Sequence, residues 1–214
     1  MSDLSDPASL GSARGGPSGG PLFETLSLPG LELRNRLVRS ATAEGFCRDD
    51  GTPDSRLAAL YGDLAGGGVG LIITGHAYVL ARGRCHRAML AADRDEMIPH
   101  FAALARAARE QGARIALQIN HGGRACGPDA VPDPVAPSAV AADLANPPPA
   151  QLDEAGIAEI VAAFAAAARR AREGGFDAVQ IHAAHGYLAG QFLSPLSNRR
   201  GDRYGGDLPG RARF

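Results

Sequence analysis

The chain has 214 residues, of which 45% are hydrophobic and 21% charged, and its formal net charge is -1. That is a globular composition with material for a sizeable core, and the charge balance gives no basic surface for nucleic acid or an anionic membrane. No apolar run approaches the roughly 20 residues of a membrane span.

Residues 1–21, MSDLSDPASLGSARGGPSGGP, lack the basic head and apolar middle of a secretory signal and read as a disordered leader. Residues 22–214 form one domain. Two short alternating runs around Pro29-Gly30 predict a hairpin, and 36–42 is strand-like. Thr52 and Pro53 suit the N-cap and first position of a helix carrying Leu57, Leu60, Tyr61 and Leu64 on one face, stopped by Gly66-Gly67-Gly68.

VGLIIT (69–74) predicts a strand covered on both faces. A second helix places Ile98, Phe101, Leu104 and Ala108 on one stripe and ends at Gly112, before the strand RIALQIN (114–120). A third helix, Asp153 to Glu173, aligns Ile157, Ile160, Val161, Phe164 and Ala168. The strand DAVQIH follows, and Leu208-Pro209 reads as the opening of a further helix. Strands alternating with helices predict a parallel α/β fold, either an open doubly wound sheet or a (β/α)8 TIM barrel. No G-x-G-x-x-G follows the first strand, and polar residues gather after each strand instead: Ser40 and Thr42, His76, Gln118 with Asn120 and His121, then His182, His185 and Tyr187. That is the face on which barrels carry their chemistry. Four β/α units behind an N-terminal hairpin cap make half a barrel, with two unpaired edges.

Cys47, Cys85 and Cys126 are widely spaced and form no C-x-x-C pair, which suits free thiols in a reducing cytoplasm. Cys85-His86 with His76 is the nearest approach to a metal cluster, and a solvated loop thiol beside a surface histidine accounts for it as well. No metal site is expected. The segment 121–150, with seven prolines, is too long for a plain connection and is expected to wall a substrate site. Arg124 within it reads as a loop-ordering cation.

HAAHGYLAGQFLSPLSNRRGDRYGG (182–206), preceded in order by LELRNRLVRSATAEG, VGLIITGHAYV and LQINHGGR, resembles the N-terminal half of the Old Yellow Enzyme family of FMN-dependent ene-reductases. The resemblance implies FMN as cofactor, NADH or NADPH as reductant and an activated alkene such as an enone as the small-molecule substrate. His182 and His185 match the family's donor pair to the substrate oxygen, and Tyr187 its proton donor to the α-carbon. Ser40, Ala41 and Thr42 match the segment beneath the flavin ring. Gly75 falls where backbone approaches the ring, and Gln118 matches the contact to the pyrimidine edge. Where many members carry a Cys or Thr beside the flavin and a Tyr two residues on, this chain has Ala43 and Gly45. The family's phosphate loops lie in its other half, so a truncated chain is expected, completed by a missing half barrel or by self-association. Two other readings stay open: a pseudoenzyme that holds no FMN, and a metal-dependent hydrolase with His182 and His185 as ligands, which lacks a third ligand in register.

Overall fold

The computed structural model describes residues 20–143 and 148–214; the expected leader therefore lies almost wholly outside the described residues. β1 (Leu26–Leu28) and β2 (Leu31–Leu33) form the antiparallel hairpin, turning at Gly30 with φ +75°, a left-handed conformation that costs glycine little. Then come β3 (Val38–Arg39), α1 (Ser55–Gly66), β4 (Leu71–Ile73), β5 (Ala77–Tyr78) and β6 (Leu90–Ala91). They are followed by α2 (Ile98–Glu110), β7 (Arg114–Asn120), β8 (Val135–Ala136), β9 (Ala150–Gln151), α3 (Glu154–Glu173), β10 (Ala178–Ile181), α4 (Leu188–Leu193) and α5 (Leu208–Arg211).

The main sheet is parallel and curled, with β3 beside β4, β4 beside β7 and β7 beside β10. β5 pairs the distal end of β7, Ala77 opposite Ile119, so β4 and β5 are one strand interrupted at Thr74, Gly75 and His76. Thr74 bridges the gap: its hydroxyl accepts from the Gln118 N–H at 3.1 Å and donates to the Gly75 carbonyl at 2.9 Å. The interruption turns His76 away from ladder pairing.

α1 and α2 pack on the outer face through Leu57, Tyr61, Ala65, Phe101, Leu104 and Ala108, all buried with Ile72, Ile115 and Leu117 of the sheet. A second cluster joins Val135, Leu152, Ile157, Ile160, Leu188 and Phe192.

Several expectations need correction. The cap of α1 is Asp54, whose carboxylate accepts from the Arg56 N–H at 2.8 Å. Thr52 is engaged by Asp50, and Pro53 is held extended in a bridge to Cys47. The strand at 69–74 is paired only over Leu71–Ile73, because at Thr74 the side-chain hydroxyl receives the Gln118 N–H. Val161, expected on the apolar face of α3, is exposed, as are Val179 and Ile181 of β10, which among the described residues pairs only with β7. Cys85 is no solvated loop thiol; it is buried against Asn120 and the Gly122 backbone.

None of the described residues of segment 121–150 lines the large pocket described below. Its β8 pairs β9, and Arg200 holds it over α3 by donating to the carbonyls of Pro137 at 2.8 Å and Leu152 at 2.5 Å. Arg124 does order this loop, donating to Val140 O at 3.1 Å and Ala141 O at 3.0 Å.

Candidate active site

A cavity of about 730 Å³ opens at the C-terminal ends of the strands, a size suited to a small-molecule or cofactor site. Each wall comes from a strand end: Ser40 to Ala43 after β3, Ile73 and His76 around the β4 interruption, Gln118 on β7, Gln180 and Ile181 on β10, and His182 to Tyr187 beyond it.

The stretch 182–187 is short and tightly turned. His185 has φ +54°, rare for a residue with a Cβ, and Gly186 follows at +73°. This reversal folds the chain so that three rings converge. His182 lies 5.1 Å from His185 and 4.7 Å from Tyr187 between ring centroids, and His185 lies 6.4 Å from Tyr187. His182 is buried and His185 exposed, so one imidazole is fixed in the wall and the other stands at the rim.

The tautomer of His182 follows from its partner. The Ala184 N–H donates to Nδ1 at 3.3 Å, which makes Nδ1 an acceptor and puts the ring proton on Nε2. Burial and the neighbouring His185 pull the His182 pKa down, so the ring is neutral. Burial, then proximity to Cys85, pushes the Tyr187 phenol up and keeps it protonated.

Gln118 and Gln180 are opposed in the β7/β10 register, and the Gln118 amide donates to Gln180 Oε1 at 2.7 Å. That pairing leaves Gln118 Oε1 as an acceptor and the Gln180 amide as a donor, side by side. Gln180 was not foreseen; alternation along DAVQIH with Gln118 on the adjacent strand was the available signal.

Behind Ser40, Ala41 and Thr42 sits a buried ion pair. Glu44 Oε1 accepts from Arg39 at 2.8 Å, from the Tyr61 hydroxyl at 2.9 Å and from the Gly75 N–H at 3.1 Å. The three donors anchor the loop that forms one wall. Gly75 itself lies behind the cavity rather than in its lining, and a Cβ there would sit 2.2 Å from Glu44 Oε2. Glycine is needed at 75 for the carboxylate. Among the described residues no three His, Cys, Asp or Glu side chains converge as a metal site.

The continuation 194–206 is scaffold. Asn198 donates to the carbonyls of Phe192 at 2.8 Å and Tyr204 at 2.7 Å, and the Ser197 hydroxyl donates to Gln191 O at 2.8 Å. These bonds fix α4, whose N-cap is Tyr187.

Residues 21–214 match the model of the NADH:flavin oxidoreductase / NADH oxidase family. The chain belongs to this family. It is 40% identical over 194 residues to an NADPH dehydrogenase of Geobacillus sp. (strain WCH70), covering 90% of this chain and 56% of that protein. It is 41% identical over 194 residues to a metal reductase of Desulforamulus reducens, again over 90% of this chain but 29% of the relative. Among solved structures, morphinone reductase in complex with tetrahydroNAD superposes with a TM-score of 0.84 at 32% identity, over 91% of this chain and 58% of that one. The NADPH dehydrogenase and morphinone reductase are thus matched over little more than half their length. The fold is the first half of their TIM barrel, as the Old Yellow Enzyme resemblance implied.

FMN with NAD(P)H is the family's cofactor set. The cavity suits the ring of FMN: Ala41, Ala43, Ile73 and Ile181 give apolar surface, and the Gln118–Gln180 pair offers one acceptor and one donor to a pyrimidine edge. Among the described residues no lining side chain is cationic, so nothing in this wall suits the phosphate.

Proposed function

We propose that this chain forms the substrate-activating half of an FMN-dependent NAD(P)H oxidoreductase that reduces activated alkenes of the enone type. The observation that carries the reading is the convergence of His182, His185 and Tyr187 within 6.4 Å of one another at a strand-end cavity. A further half barrel, on the same chain or another, completes the site and supplies the phosphate contacts.

Bound FMN supplies the hydride. His182, with its proton on Nε2, and His185 at the rim donate to the substrate oxygen on which charge develops, which is oxyanion stabilisation by preset donors. Tyr187, held protonated, gives its proton to the carbon next to the activating group as general acid. Gln118 and Gln180 orient the ring, and the Glu44–Arg39 pair holds the 40–43 wall against it.

The test is anaerobic reduction of 2-cyclohexenone by the completed, FMN-loaded barrel. Replacing both His182 and His185 with Ala is expected to slow the alkene step by at least about 100-fold. Reduction of the flavin by NADPH should change far less. Equal losses in both half-reactions, or none in either, would overturn the assignment.

A further inference from the structure

We propose that His76 is a third imidazole donor of this pocket and that it selects ligands whose acceptor group carries two oxygens, a carboxylate or a nitro group, over those with a single carbonyl. The inference rests on the functional reading above and deepens it.

His76 is not in the stretch that carries the converging rings. It reaches the cavity because the β4 ladder breaks at Thr74 and resumes at Ala77, leaving its side chain on the pocket wall. Its ring stands 5.6 Å from that of His182 and 5.3 Å from that of Tyr187. It therefore flanks both.

The hydrogen bonding of His76 repeats that of His182. The side-chain amide of Asn120, itself fully buried, donates to His76 Nδ1 at 2.9 Å. With Nδ1 occupied as an acceptor, the proton of the neutral ring is on Nε2. Among the described residues that nitrogen has no hydrogen-bond partner; it is not among the fully buried unpartnered polar atoms, and its residue lines the cavity. Burial holds the His76 pKa down at about 4, so the ring stays neutral through the physiological range.

Two imidazoles thus present Nε2–H to one space, each fixed by an amide on its other nitrogen. Two fixed donors on neighbouring walls match two oxygens on one atom better than one. Ala43, which shares the cavity lining with His76, contributes no competing polar side chain. His86, 5.6 Å from His76, closes the space behind it.

The test compares non-reducible ligands in the completed, FMN-loaded barrel: benzoate with two oxygens and acetophenone with one. Their affinities are measured in the parent, His76→Phe and His76→Gln, and His76 ring ¹⁵N shifts are followed by NMR. The parent should show His76 as the Nε2–H tautomer, with that nitrogen shifting when benzoate binds. His76→Phe should lower the ratio of benzoate to acetophenone affinity about tenfold, and His76→Gln, which keeps an N–H donor, should recover most of it. An unchanged ratio, or a ring nitrogen that ignores benzoate, overturns the proposal. If His76→Phe does not fold, the ¹⁵N titration of the parent decides alone. Failure of the functional reading looks different: cyclohexenone is not reduced by the parent, whatever the benzoate result.

Discussion

His76 and His121 are buried without a carboxylate partner, and each has Nδ1 committed as an acceptor, to the Asn120 amide at 2.9 Å and the Gly123 N–H at 3.1 Å. Burial lowers their pKa values to about 4 and about 3, against 6.5 for a free imidazole. Between pH 6.5 and 4 the unfolded chain binds protons that the folded chain refuses, so stability rises with pH across that window and is lost as pH falls through it. Each such group contributes at most about 1.4 kcal/mol per pH unit. Denaturant unfolding of the completed barrel at pH 6.5, 5.5 and 4.5 should show this slope, and His76→Gln should reduce it. A variant with the parent's slope would mean that His76 is protonated in the fold. Reading the residues in order could not show this: His76 in VGLIITGHAYV is one polar residue after a strand until Asn120, 44 positions away, is seen on its ring.

At the scale of elements, periodicity identified the helices well because their apolar stripes are long. Ile157 and Ile160 of α3 are buried as the 3.6-residue spacing requires, and the Asp153 cap accepts from the Gly156 N–H at 2.7 Å. Short elements were harder. Thr52, Pro53 and Asp54 are all credible helix starts, and the Cys47–Pro53 bridge rather than propensity decides for Asp54. The role of Ser-Pro-x-x-Asn was likewise hidden, since its bonds run to backbone carbonyls that no side-chain pattern reveals. Asn198 joins the end of α4 to Tyr204 through two of them. Asn198→Ala should destabilise the fold by about 2 kcal/mol, because one buried and one partly buried carbonyl lose their donor. It should also lower alkene reduction more than flavin reduction, because Tyr187 is the N-cap of α4. Stability loss with both half-reactions reduced in proportion would confine Asn198 to folding.

At the scale of the molecule, β3 and β10 each pair on one side only among the described residues. Val38 of β3 is 47% exposed, and on β10 Val179 is 40% and Ile181 60% exposed. Beside β10 an apolar groove of about 290 Å³ runs between α3, α4 and the chain end, lined by Val161, Phe164, Phe192, Leu193 and Phe214. An open parallel edge with apolar side chains invites pairing with another chain. A closed barrel removes such edges, and the NADPH dehydrogenase and morphinone reductase, of which this chain covers 56% and 58%, have further length with which to do so. The 214 residues made alone should therefore self-associate on gel filtration and bind FMN weakly, since the cavity wall has no cationic side chain for the phosphate. Val179→Lys with Ile181→Lys should shift the profile toward monomer by placing charge on the exposed edge strand. A monodisperse monomer that retains stoichiometric FMN would overturn this expectation, and would mean that the apolar wall and the Gln118–Gln180 pair supply most of the flavin affinity without phosphate contacts.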